Sequence, residues 1–286
     1  MERTVNGNCT YGKMHVENVA AVHRLRFDRE WLLRPVTLLF SILYFIVIAI
    51  PIYAIFSSAG IKNIFSSLAK TDNMAALRIS TQTTLFTVLL IFLICTPVVF
   101  YLSTKKENTF SKILEILVCM PTVLPPAVAG IGLLLAFGRT GFIGACLDRL
   151  NIEVVFTPAA VVLSQFFVAS GFYIQVLKTG MDTIDAEIFE VSYLLGLGKV
   201  ETFIRVIIPM LAKPLIAGLM LSWTRALGEF GATIMFAGNM SGITRTIPLQ
   251  IYTLLQTDIM LAASVSILLL VISFLLLFIL KIIFRG

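Results

Sequence analysis

The sequence predicts an all-α integral membrane protein with six transmembrane helices and one short helix outside the membrane, between the fourth and fifth spans. Three observations carry this. Of the 286 residues, 58% are hydrophobic and only 13% charged, where a soluble domain is about 25% charged. The mean hydropathy is +0.95. Six apolar runs reach the length that crosses a bilayer, about 20 residues at 1.5 Å rise per residue.

Residues 1–34 are polar and read as an N-terminal extension, ending in the basic series Arg24, Arg26, Arg29 and Arg34. The first span follows at 36–57. It begins too far in, and is too long, for the apolar core of a cleavable signal peptide. Residues 35–75 thus hold the first transmembrane helix and its outer loop. Further spans at 80–102, 113–137, 157–177, 207–230 and 261–283 place a core of five helices over 76–284.

The third span contains Pro121, Pro125 and Pro126. Proline removes a backbone donor and clashes with the preceding turn, so this helix must break or kink. In lipid the freed carbonyls are tolerated only where they are packed in protein or line a wet cavity. The kink is therefore either structural or part of a pathway.

Even numbers of spans put both termini on one side. Fifteen of the 22 Lys and Arg residues fall in the segments on that side and six in the opposite ones, which predicts cytoplasmic termini. The net charge of +6 is explained by this asymmetry, and no nucleic-acid partner is needed; membrane lipid is the surrounding partner.

Catalytic, metal and cofactor signals are missing. Cys9, Cys95, Cys119 and Cys146 show no paired spacing, and His15 and His23 have no ligand-like neighbours. Gly198-Lys199 is followed by Val200 and has Tyr193 where a P-loop needs glycine, while Glu201 replaces the third glycine of a dinucleotide loop. There is no HExxH and no Ser, His and Asp set. If ATP is used, another chain binds it.

The loop from Asp182 to Pro209, about 182–209, is patterned. Asp185 suits an N-cap, Glu187 the positive end of the helix dipole and Gly196 the C′ position, which predicts a helix over 186–195. Its apolar positions Ile188, Val191 and Leu195 form a narrow stripe that wants a partner groove.

Arg225 and Glu229 lie inside the fifth span, where a full charge costs roughly 2.5–3.5 kcal/mol at the bilayer centre. Four residues apart, they share a helical face and can pair. Gly228 and Gly231 flank them and permit a bend or a close helix approach. The pair either fixes helix register or belongs to a gate or pathway.

Glu190, Gly196 six positions on and Pro209 thirteen further, with Ile208 before the proline, resemble the EAA loop of ABC importer permeases; Val191 and Ser192 stand where that family has paired alanines. RALGEFGATIMFAGN from Arg225, TRTIPLQIYTLLQ from Thr244 and LPPAVAGIGLLLAFGRTGFIG from Leu124 are similar to segments of the tetrahedral-oxyanion permeases, molybdate permeases above all. The likeness covers about residues 76–280.

The resemblance implies a type I ABC importer permease acting as a homodimer. Its coupling helix would dock on a cytoplasmic ABC ATPase dimer, with Glu190 and Gly196 at the contact and Pro209 starting the next span. That ATPase, not this chain, would use ATP and Mg. An extracytoplasmic oxyanion-binding protein would deliver molybdate first, with tungstate close and sulfate or thiosulfate behind. Arg225, Glu229, Gly228, Gly231, Pro125 and Pro126 would form the pathway or gate, with the Ser222, Thr224 and Thr233 hydroxyls offering weak contacts. The rival reading is an ion-coupled secondary transporter in which Glu229 carries a proton.

Overall fold

The computed structural model describes the backbone of residues 8–59, 70–104 and 109–285, with side chains described for 34–59, 70–103 and 109–282. Lys105 and Lys106, counted above among the inner charges, lie outside these residues. Every regular element described is helical. The chain divides into two compact units, 1–57 and 58–286.

The first unit is helix α1 (Asn8–Ala59). Its apolar part, Arg34–Ala59, has a mean hydropathy of 2.6 and exposes side chains such as Leu39, Phe45 and Tyr53.

In the second unit, α2 (Thr71–Thr104) precedes a bent pair, α3 (Thr109–Thr122) and α4 (Pro126–Phe137), and the short α5 (Gly144–Asp148). The long α6 (Pro158–Met181) leads to α7 (Ala186–Leu194), then to a second bent pair, α8 (Lys199–Met210) and α9 (Ala212–Leu227). Short α10 (Gly231–Phe236) and α11 (Ile247–Leu255) precede α12 (Ile259–Arg285).

Four of these helices are long and apolar enough to cross a membrane, and the third and fifth expected spans are instead bent pairs. The α3–α4 pair turns by 109° at Val123–Pro125. α4 has 12 residues and so reaches only about 18 Å, short of a hydrocarbon core of about 30 Å. The proline run decides this: Pro125 holds an extended conformation at φ −55°, ψ 132°, and Pro126 starts α4 at the first position, where its missing N–H costs nothing.

The second pair bends by 76° at Leu211. Pro209 does not start the fifth span, as the resemblance implied; it sits in the last turn of α8, and the continuing helix begins at Ala212. Lacking an N–H, Pro209 cannot serve the Arg205 carbonyl, and the turn just before it, Phe203–Ile207, is wound as a wide π turn.

The core is built on α6. Two thirds (67%) of its most apolar window is buried, against 33% for α2 and 22% for α12. Ile91, Cys95 and Val99 from α2, Ala169, Tyr173, Ile174, Leu177 and Met181 from α6, Ile207 from α8 and Ala226 from α9 form one buried cluster.

Lipid tails are as apolar as leucine, so helix association here rests on close packing and hydrogen bonds. Both are present. A Cβ at Gly218 on α9 would lie 3.0 Å from the Tyr173 ring and 3.3 Å from the Tyr173 carbonyl oxygen, so the glycine lets these helices meet closely. The Tyr173 hydroxyl is 2.6 Å from Thr96 Oγ1, Thr87 Oγ1 donates to Gln165 Oε1 at 3.1 Å, and Ser222 Oγ donates to the Ala169 carbonyl at 3.0 Å.

Candidate functional site

The charged pair lies where α9 ends and the chain turns into α10. Arg225 Nη1 is 2.7 Å from Glu229 Oε2, and the two side chains are 27% and 1% exposed. Oε2 has no aligned hydrogen-bond donor, so this contact is an ion pair by proximity. The other oxygen, Oε1, accepts the Ala232 N–H at 2.8 Å, one of the N–H groups that the start of α10 leaves without a helical partner. Glu229 therefore joins two helices: it neutralises the last turn of α9 and caps the first turn of α10.

α10 in turn packs on α4 without room for side chains. A Cβ at Gly231 would lie 2.8 Å from the Pro126 Cβ, and one at Gly130 would lie 2.8 Å from the Ala232 Cα. The structure thus links four of the six residues expected at a pathway or gate, Arg225, Glu229, Gly231 and Pro126, through the single short helix α10. The other two stand at its edges. Pro125 is exposed and its carbonyl accepts the Ala129 N–H at 3.1 Å. Gly228 is exposed and ends α9 at φ −85°, and a Cβ there would meet nothing nearer than 3.7 Å, so neither a close approach nor the backbone requires glycine at this position.

The hydroxyls expected to offer contacts to an anion are mostly enclosed. Ser222 and Thr233 are fully buried; Thr224 Oγ1 donates to the Met220 carbonyl of its own helix at 2.9 Å. Hydroxyls in an apolar helix satisfy themselves on the carbonyl one turn back when nothing better is in reach, which spacing alone does not reveal.

Sequence reasoning missed two polar seams. Trp223 Nε1 donates to Thr84 Oγ1 at 3.1 Å, which with Thr87 and Gln165 stitches α9, α2 and α6 together. Arg245, counted only as an outer charge, donates to Asn239 Oδ1 at 2.8 Å and the Asn239 carbonyl at 3.2 Å. The neighbouring Gln250 donates to Asn73 Oδ1 at 2.7 Å. The available signal was the presence of Asn73, Gln165 and Gln250 in or beside apolar runs, since an amide in hydrocarbon must find a partner.

The patterned loop folds as α7, one residue shorter than the expected 186–195. Asp185 occupies the N-cap position, but its side chain makes no cap bond; its carbonyl accepts the Ile188 N–H at 3.1 Å. At the other end, the Gly196 N–H bonds the Tyr193 carbonyl and the Leu197 N–H bonds the Ser192 carbonyl, each at 3.0 Å, the two bonds of a Schellman end. Gly196 has φ +84°, and no atom lies within 4 Å of where its Cβ would be. Glycine is needed there for backbone conformation alone.

The expected stripe is split between two faces. Ile188 turns inward with Phe189 against the core cluster, whereas Val191 and Leu195 point outward. The exposed face consists of Val191, Leu194 at 86% exposure, Leu195 at 76% and, from α8, Val200. Glu190 is exposed beside it. An apolar surface of this kind at the end of a short helix is suited to burial against a partner. Among the described residues no cluster of His, Cys, Asp and Glu could hold a metal ion.

The chain is 45% identical over 257 residues, covering 90% of each chain, to the probable transport system permease protein NifC of Clostridium pasteurianum. It is 35% identical over 226 residues to the molybdenum transport system permease protein ModB of Mycobacterium tuberculosis, covering 79% of this chain and 85% of that one. Among solved structures, a chain of a bacterial alginate ABC transporter, in complex with an alginate pentasaccharide-bound periplasmic protein, superposes with a TM-score of 0.72 over 88% of this chain and 93% of that one. At 16% identity it shows the fold alone. Residues 93–286 match the family described as binding-protein-dependent transport system inner membrane component. With that match, a 45% identical permease relative and membrane-crossing helices in this order, the chain belongs to that family: it is a multi-pass, type I ABC importer permease subunit of the inner membrane.

Proposed function

We propose that the protein is the transmembrane subunit of an ATP-driven importer that moves a tetrahedral oxyanion into the cytoplasm, molybdate first and tungstate close behind. The observation that supports this substrate class is the 35% identity over 226 residues to a permease named for molybdenum transport. Two copies of the chain enclose the pathway, and the exposed Val191, Leu194 and Leu195 face of α7 docks on a cytoplasmic ATPase dimer, which supplies ATP and Mg chemistry. Both termini are cytoplasmic, and a binding protein outside holds the anion tightly.

The charged elbow fits weak, transient handling of such an anion. A doubly charged ion must not meet a deep well inside the pathway, or it is not released. Arg225 is the cation there, partly exposed at 27%, and its charge is balanced by the buried Glu229. The same geometry weighs against an ion-coupled secondary transporter, because Glu229 is committed to capping α10 and to pairing with Arg225.

The test is uptake by proteoliposomes containing this chain together with a candidate ABC ATPase and oxyanion-binding protein from the same organism. Molybdate accumulation that needs ATP and is inhibited by tungstate is expected. Sulfate or thiosulfate accumulation without molybdate transport shifts the substrate to the sulfate branch. Accumulation driven by an ion gradient without ATP overturns the importer reading.

A further inference from the structure

Lys178, near the end of α6, holds acids from two different segments. Its Nζ lies 3.2 Å from Glu115 Oε1 on α3 and 3.0 Å from Asp182 Oδ2, with the lysine side chain 22% exposed. Asp182 is the C-cap of α6 and begins the short connection into α7. Glu115 lies two helical turns before Thr122, the last residue of α3 ahead of the proline elbow.

Thr122 is also keyed to α6. Gln175 Nε2 donates to Thr122 Oγ1 at 3.3 Å, and the lack of a side chain at Gly171 admits the Thr122 methyl group. Gly171, Gln175 and Lys178 recur at i, i+4 and i+7 and so form one stripe of α6. Along that stripe Thr122 meets its beginning and Glu115 its end, so α3 runs antiparallel to α6 and is fastened at both ends. The opposite face of α3 exposes Phe110, Ile113, Ile116 and Leu117.

We infer that Lys178 is a positioning residue that ties the coupling loop to the elbow beside the pathway. Displacement of α7 carries Asp182 with it. The shared ammonium then shifts its balance between Asp182 and Glu115, and α3 passes the change to Pro125 and Pro126. Pro126 packs on Gly231, the first residue of the helix that Glu229 caps. The inference rests on the permease reading, because the displacement comes from the ATPase.

Two readouts test it on the full chain. With nitroxide labels at Leu117 and Leu194, both exposed, in a permease diluted with unlabelled copies, dipolar spectroscopy should give a narrow distance within one copy for the wild type and a broadened one in Lys178→Met. Lys178→Arg should restore the narrow one. An unchanged distribution in Lys178→Met overturns the inference whatever the permease carries. In the assembled importer, Lys178→Met should keep basal ATPase activity and lose oxyanion-stimulated activity by roughly 5-fold or more, and Glu115→Gln should do the same. Wild-type stimulation in both variants reduces the contact to a surface ion pair and also overturns the inference. If the wild type shows no stimulation by any oxyanion, the proposed function fails, and the spectroscopic arm still decides the role of Lys178.

Discussion

Gly231 and Pro126 touch: a Cβ on the glycine would sit 2.8 Å from the proline Cβ. The contact seats the short helix α10 on α4 and, because Glu229 caps α10 and pairs with Arg225, binds the charged pair to the proline elbow. A membrane protein can keep a charge away from lipid only by building around it, and this contact is part of that construction.

Gly231→Ala should therefore destabilise the protein by about 1–3 kcal/mol, the usual penalty of overpacking, while Gly228→Ala, with open space around it, should be nearly neutral. Melting temperatures of both variants in detergent check this. Equal melting of the two would remove the packing role assigned to Gly231.

Glu229→Gln leaves Arg225 without its counter-ion, and breaking a buried pair costs roughly 3–5 kcal/mol. The exchange Arg225→Glu with Glu229→Arg restores neutrality but not stability, because an arginine at 229 has no acceptor for the Ala232 N–H. Membrane abundance should be low for both the single and the exchanged variant. Full recovery by the exchange would show that charge balance, and not the cap on α10, is what Glu229 supplies.

At Gly196 the demand is on the backbone alone. Alanine there must adopt φ +84°, a left-handed conformation costing roughly 1–2 kcal/mol per residue for an L side chain; asparagine should be tolerated better. The expected sign is graded loss of ATPase copurification in the order asparagine, alanine, valine, with membrane abundance retained. An unaltered yield of complex with valine would dissociate the α7 ending from ATPase binding.

Leu194→Asp changes a side chain that is 86% exposed, so folding should be unaffected. On the docking reading it should nevertheless abolish ATPase copurification, since a carboxylate would be buried without a partner at the contact. Pull-down with a tagged permease measures it, and an intact complex would place the ATPase elsewhere.

Topology is tested with single cysteines in a background lacking Cys9, Cys95, Cys119 and Cys146. An impermeant thiol reagent applied to intact cells should label position 70 and spare position 199. The reverse pattern would invert the orientation read from the lysines and arginines.

The sequence by itself determined the class of molecule, the break at the prolines of the third span and the pairing of Arg225 with Glu229. Those are local matters: apolar run length, the missing N–H of proline, the left-handed turn at Gly196 and a spacing of four residues, which brings the two charges together although Glu229 lies beyond the end of α9. The tertiary structure alone decided how sharply the third span bends, that the fifth span is a bent pair as well, that Ile188 faces inward while Val191 and Leu195 face out, and that Ser222 and Thr233 are enclosed. It also decided that Glu229 caps α10, that Gly231 rests on Pro126 and that Lys178 joins α3 to the loop after α6. Each of these depends on which surfaces meet across long stretches of chain. Because lipid supplies no hydrophobic bias between helices, those meetings are set by shape and by hydrogen-bond partners, which a one-dimensional pattern of apolar and polar residues does not encode.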